Sequence, residues 1–194
     1  MLLFIAVVYV PFFIVLTLKY DVASVAISRI GWRFDGFRYL VSFMILTVPF
    51  MLYQVFFFIR IYGKRNKLLA FLAITGSSLI VIGGFTPYYE DTLEAVQFFH
   101  CVAAGAGAVF SFIAVTYMVA QYCASGGRQA RKAAVPYGVY FIAASAAFFA
   151  LQSAALFQVG LSLCSFIVMY LLNSSLVRNN IPQERKTDVV LAVS

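Results

Sequence analysis

The sequence contains five long stretches without a charged side chain, and these constrain the fold more than any other feature. They cover residues 1–18, 39–59, 68–89, 95–127 and 133–177. A helix needs about 20 apolar residues to cross a hydrocarbon core about 30 Å thick. The first four stretches suit one crossing each, whereas the last is about twice that length and must fold back once. The pattern predicts an all-α polytopic membrane protein, a bundle of six transmembrane helices.

The composition agrees with burial in lipid. The chain has 194 residues, of which 63% are hydrophobic and 11% are charged, whereas about a quarter of the residues of a soluble domain are charged. The net charge of +7 does not indicate a nucleic-acid partner, because the cations lie in short connections between apolar stretches. We therefore expect one six-span domain over residues 1–178 and a flexible cytoplasmic tail over residues 179–194.

The connections predict the orientation of the bundle. Basic residues cluster in residues 60–67 and 128–132 and after the sixth span. Cationic connections remain in the cytoplasm, so the N-terminus and the C-terminus are both predicted there. The exception is the first connection, which is predicted on the outer side although it carries Arg29 and Arg33. Within the longest stretch, the polar residues Gln152, Ser153 and Gln158 mark the expected fifth turn.

Small residues recur in two of the predicted spans, at 103–108 and 143–147. In lipid, small side chains allow helix backbones to approach closely. These stretches predict close helix packing and carry no chemistry by themselves.

Polar side chains gather in the two longer outer connections and at the start of the fourth span. Arginine binds phosphate or carboxylate through paired hydrogen bonds, so the first connection suits an anionic lipid headgroup. The acidic pair Asp91 and Glu94 has a structural explanation, since it resembles a capping box that would start the helix at Thr92. The candidate ligand-binding residues are Ser28, Arg29, Arg33, Glu94, Gln97 and His100.

His100 is the only histidine of the chain. From a helix start at Thr92 it lies about 12 Å along the axis, near the outer boundary of the membrane, and Gln97 shares its helical face. An ionisable residue within a span indicates a functional site. The alternative is a neutral imidazole bonded to a neighbouring helix, and the sequence leaves both interpretations open.

Several kinds of chemistry find no support in the sequence. Cys101, Cys123 and Cys164 lack zinc-ligand or disulfide spacing, and one histidine cannot provide a bis-histidine haem site. No nucleophile–base pair stands out. We expect no catalytic residue, no metal and no cofactor.

The chain resembles a known family at the two outer connections. Residues 27–31, Ile-Ser-Arg-Ile-Gly, are similar to the Ile-Ser-x-x-Gly motif of bacterial six-span proteins of domain-of-unknown-function family 998, which are related to the eukaryotic Frag/DRAM/Sfk type. Residues 84–87 followed by His100 are similar to the Phe-Pro element and histidine of that family. The residue after the motif serine is usually acidic there, whereas this chain has Arg29. The resemblance implies the six-span fold, a link to lipid handling, and a bacterial inner membrane.

Three functions follow as hypotheses. The first is binding of a lipid or a small amphipathic ligand in an outward-facing pocket, with membrane lipids as partners. The second is a structural or regulatory subunit that packs against another membrane protein. The third is a small-solute transporter, which we rank last because the spans are nearly free of charged residues and show no inverted repeat.

Overall fold

The computed structural model describes residues 5–33, 36–62, 66–89, 91–124, 135–143, 146 and 155–180, and every regular element in these residues is a helix. A π-helical turn (Ile5–Tyr9) leads into α1 (Val10–Lys19), and a short helix α2 (Ile27–Arg33) follows. The remaining helices are α3 (Phe37–Tyr62), α4 (Lys67–Phe85), α5 (Glu94–Ala124), α6 (135–143) and α7 (Ala155–Asn180).

Four of these helices, α3, α4, α5 and α7, are long and apolar enough to cross a membrane. The outer surface of the bundle is correspondingly apolar: Leu18, Ile45, Phe71, Phe98 and Val109 are each more than half exposed. In water, a continuous apolar surface would drive association, whereas lipid tails cover it without cost. The prediction of a multi-pass helical membrane protein is confirmed.

The helices α4 and α5 approach each other at glycines. A Cβ atom built on Gly83 would lie 2.8 Å from the backbone nitrogen of Ala104, and one built on Gly107 would lie 2.8 Å from the backbone nitrogen of Ile80. A larger residue at either glycine would push the two backbones apart. The prediction that residues 103–108 form a close helix contact is confirmed, whereas most of residues 143–147 lie outside the described residues.

The helix α3 packs against α2, α4 and α7. Near its middle, Phe50 contacts Phe166 of α7 with ring centroids 4.5 Å apart, and Tyr9 contacts the same ring at 5.3 Å. Closer to its end, Gln54 and Asn173 are both buried and hydrogen-bonded to each other. These contacts fix α7 against α3.

The helix α4 ends at Phe85, because Thr86 precedes a proline, which disfavours helical backbone, and has φ −81° and ψ 125°. One predicted helix boundary is wrong. The helix α5 begins at Glu94, so Leu93 and not Asp91 occupies the N-cap position. Glu94 still lies in the first turn, where a carboxylate complements the helix dipole.

The connections also differ from the sequence prediction. The first one contains α2, which the sequence reading did not anticipate. Gln158 does not mark a turn, because it lies inside α7, while residues 152 and 153 are outside the described residues. The helix α7 continues to Asn180, and residues 181–194 of the predicted tail also lie outside the described part.

Candidate functional site

One end of the bundle, which we call the α2 end, is formed by residues 20–33, residues 86–89 and 91–93 of the connection between α4 and α5, and the first turns of α7. Three hydrogen bonds join the first connection to α7. Ala155 N donates to Val25 O at 2.8 Å, and Leu156 N donates to Val22 O at 2.8 Å. Ile27 N donates to Gln158 Oε1 at 3.1 Å. Since the free N–H groups at a helix start need acceptors, these bonds satisfy the first turns of α2 and α7 together.

The backbone carbonyl groups at the end of α4 are hydrogen-bonded by side chains of α2, of α5 and of Thr86. The last carbonyl groups of a helix have no partner within it. Trp32 Nε1 donates to Gly84 O at 3.1 Å, and Thr86 Oγ1 donates to Ile82 O at 2.8 Å. His100 Nδ1 lies 2.7 Å from Gly83 O and 3.2 Å from Thr86 O. The indole and the imidazole thus hold α2 and α5 against the end of α4.

The contacts of His100 define its tautomer. Both partners of Nδ1 are carbonyl oxygens, which can only accept, so Nδ1 carries a proton. In a neutral imidazole the other nitrogen, Nε2, then holds a lone pair and is an acceptor. The ring is buried and stacks on Tyr88, with centroids 4.5 Å apart and planes 13° apart. The imidazole of His100 is therefore bonded to a neighbouring helix, which confirms this one of the two interpretations of the residue.

A cavity of about 320 Å³ lies directly beneath these contacts and has His100 in its wall. Helices α2, α3, α4, α5 and α7 all contribute to it. Along α5 it extends from His100 to Ala108, which is about 12 Å of helix axis. Its described apolar lining residues are Ala26, Ile27, Leu40, Phe43, Met44, Ile80, Gly84, Cys101, Ala104, Gly105, Ala108, Phe157 and Leu161.

Polar side chains are confined to the α2 end of this cavity. They are Ser28, Tyr88, His100 and Gln158. Burial raises the pKa of the Tyr88 phenol, so its hydroxyl keeps its proton at neutral pH. Gln158 already accepts from Ile27 N. The cavity is therefore amphipathic: polar at the α2 end and apolar further along the helices.

The structure brings together only some of the predicted site residues. Ser28 and His100 both line the cavity. Arg29 is half-buried on α2 but is not among the described lining residues, although its charge acts on Tyr88. The side chain of Arg33 lies outside the described part.

The other two candidate residues, Gln97 and Glu94, lie in the first turns of α5, next to the connection from α4. Gln97 Nε2 donates to Tyr89 O at 3.0 Å and to Thr92 O at 2.8 Å, which fixes Tyr89 and Thr92 over the start of α5. Glu94 is exposed in the first turn of α5. Neither residue is among the described lining residues of the cavity, so the prediction that both bind a ligand there is not supported by their positions.

Three lining residues with a polar or reactive side chain are not among the candidates that the sequence predicts: Tyr88, Cys101 and Gln158. The sequence predicts a turn at Gln158 and no ligand-binding role for Tyr88 or Cys101. A signal existed for Cys101, which is adjacent to His100 in the sequence. No local pattern distinguishes Gln158 from the other polar residues near the start of α7.

Within the described residues, no three histidine, cysteine or acidic side chains come together in a way that could hold a metal ion. No protein family matches the chain, and no curated protein or solved structure shows significant similarity to it.

Proposed function

We propose that this protein is a six-span membrane protein that binds a lipid or a small amphipathic molecule in the cavity at the α2 end. The main support is the amphipathic wall of that cavity, which has polar side chains at one end and apolar side chains along the rest. Small-molecule sites are mostly apolar clefts of roughly 300–1,000 Å³ with a few placed polar groups. A volume of about 320 Å³ suits one small amphiphile.

The way the wall is built supports binding. Ser28, on α2, is a buried residue that lines the cavity. Its hydroxyl can donate to or accept from a polar group of a ligand. The carbonyl groups around His100, by contrast, are already satisfied, so the site keeps its shape without an occupant.

The six-span topology is part of the proposal. To the four long apolar helices we add α6 and the short apolar segment Val7–Lys19, which comprises part of the π-helical turn and α1. The distribution of basic residues supports cytoplasmic termini, which makes the α2 end the outer end. The family resemblance supports a bacterial inner membrane.

Binding is favoured here over catalysis. His100 Nδ1 is engaged by two backbone carbonyls, and no described carboxylate orients the ring as in a triad. A role as a subunit of a membrane complex and a role in transport stay as alternative predictions, and no particular contact in the described residues favours either.

A substitution that fills the cavity tests the proposal. Gly105 lines the cavity, and a Cβ atom built on it meets no described atom within 4 Å. Leucine should therefore fit there without disturbing helix packing and should occupy the space of a ligand. Gly160 on α7 has the same free space but is not among the lining residues, so it provides a matched control.

The measurement is the lipid content of protein purified from native membranes, determined by mass spectrometry. We expect a co-purifying amphiphile in the wild-type protein and in Gly160→Leu, and its loss in Gly105→Leu. An equal content in all three proteins, or no bound molecule in the wild type, would contradict the proposal.

A further inference from the structure

We infer that the cavity selects an uncharged amphiphile whose head carries a hydroxyl group, such as a monoacylglycerol, and discriminates against anionic lipids. This inference rests on the proposed function and names the ligand class for the same site. It replaces the expectation of an anionic headgroup, which depended on Arg29 and Arg33 facing the ligand.

None of the described residues that line the cavity is an arginine, a lysine or an acidic residue. Moving an ionised carboxylate or phosphate from water into such surroundings is costly unless a cation accompanies it. The charge of Arg29 acts on Tyr88 at this end, but Arg29 is not among the described lining residues.

The Nδ1 atom of His100 already donates to two carbonyl oxygens. An imidazolium in this buried position would be a charge without a described carboxylate beside it, so the neutral ring is the favoured form. The polar atom that this ring retains for an occupant is Nε2, which can only accept. An anion offers no hydrogen to that atom, whereas a hydroxyl does.

Ser28 and Tyr88 line the same end of the cavity. A serine hydroxyl both donates and accepts, and a protonated phenol can donate. A ligand hydroxyl that donates to Nε2 can therefore accept from one of these two groups at the same time. Ionised carboxylates, ionised phosphates and esters have no hydrogen to donate to Nε2, whereas a hydroxyl donates and accepts at one atom.

The experiment compares three probes that share one acyl chain: monolauroylglycerol, laurate and methyl laurate. Binding is measured as protection of Cys101, which lines the cavity and is exposed, from a maleimide in a Cys123→Ser/Cys164→Ser variant. A Cys101→Ser/Cys123→Ser variant retains only Cys164, which is exposed and not among the described lining residues, as a control for effects on the detergent micelle. The pH is mildly alkaline, so that laurate is ionised.

We expect monolauroylglycerol to protect Cys101 at about tenfold lower concentration than methyl laurate or laurate, because one or two hydrogen bonds distinguish the probes. Cys164 should react equally with and without each probe. Equal or stronger protection by laurate would overturn the inference but leave the proposed cavity intact. If no probe protects Cys101 and Gly105→Leu retains the wild-type lipid content, the proposed function fails as well.

Two variants separate the headgroup contact from the fold. His100→Asn keeps an N–H group at the position of Nδ1 and removes Nε2, and Ser28→Ala removes the hydroxyl without touching the end of α4. Each should reduce protection by monolauroylglycerol several-fold and leave methyl laurate unchanged. An unaltered preference in both variants would overturn the inference.

Discussion

His100 Nδ1 lies 2.7 Å from the carbonyl oxygen of Gly83, and this hydrogen bond joins the start of α5 to the end of α4. The same nitrogen lies 3.2 Å from Thr86 O. Backbone carbonyls at a helix end need partners, and the need is greater where lipid excludes water. The imidazole therefore caps one helix with one nitrogen, while the ring forms part of a cavity wall.

Replacement of His100 should separate these two roles. His100→Ala removes the donor to Gly83 O and Thr86 O, and we expect a loss of about 1 kcal/mol in the free energy of unfolding. The loss stays small because Gly83 O also accepts from Thr86 N at 3.0 Å. His100→Asn keeps an N–H donor and should retain most of the stability. Thermal unfolding in detergent measures both, and equal destabilisation by the two variants would contradict the capping role.

The close approach of α4 and α5 gives a second prediction. Gly83→Ala places a methyl group 2.8 Å from the backbone nitrogen of Ala104, and backbone cannot move aside as a flexible side chain can. We expect a destabilisation of about 1–3 kcal/mol. Gly105→Ala, with no described atom within 4 Å of the new methyl, should be neutral or stabilising by up to about 1 kcal/mol.

The same unfolding measurement decides between the two glycines. A similar loss of stability in Gly83→Ala and Gly105→Ala would mean that both positions need the backbone freedom of glycine. The explanation by close packing at Gly83 would then be wrong.

The sequence predicted the helical membrane fold because the physical requirement is simple. A span needs about 20 apolar residues without charge, and each of α3, α4, α5 and α7 meets it. The end of α4 was also within reach, since Thr86 precedes Pro87 and the residue before a proline avoids helical backbone. The short helix α2 could not be predicted, because its seven residues are held by contacts with α3 and α7 and not by their own propensity.

Part of the candidate site could also be predicted from the sequence. Ser28 and His100 were singled out as polar residues near span ends, and both line the cavity. Gln158 lies 131 positions from its partner Ile27, and sequence alone does not reveal a contact at that separation. Arg29 shows the opposite case. The sequence makes it a candidate because it is a charge in a predicted outer connection, but the orientation of α2 decides whether its side chain faces the cavity.

A buried amide pair between α3 and α7 gives a third prediction. Asn173 Nδ2 donates to Gln54 Oε1 at 2.6 Å and to Gln54 O at 3.1 Å, and both residues are at most 2% exposed. Hydrogen bonds between membrane helices contribute about 0.6 kcal/mol on average and up to about 1.7 kcal/mol. We expect a coupling energy of about 1 kcal/mol in a double-mutant cycle of Gln54→Ala and Asn173→Ala.

The cycle is measured by unfolding with a denaturing detergent. Ser174→Ala, at the neighbouring half-buried position, should show no coupling to Gln54→Ala. Additive effects of Gln54→Ala and Asn173→Ala would show that the two amides do not stabilise the bundle together.

The orientation of the bundle gives the last prediction, on which the outward-facing cavity depends. Ser24 is exposed at the α2 end, and Arg178 is exposed near the far end of α7. Because α7 starts at the α2 end, the rise of 1.5 Å per residue separates the two positions by about 35 Å, more than the hydrocarbon core. In a variant with all three native cysteines replaced by serine, Ser24→Cys should react with a membrane-impermeant maleimide in intact cells.

Arg178→Cys should react only after the membrane is permeabilised, since basic residues near a span end remain in the cytoplasm. Leu93→Cys, at a position that is 76% exposed at the α2 end, should react from the same side of the membrane as Ser24→Cys. It controls for a local effect of the substitution at Ser24. The reverse pattern would place the α2 end in the cytoplasm, and a ligand would then have to reach the cavity from inside the cell. Labelling of all three positions from one side would mean that α7 does not cross the membrane.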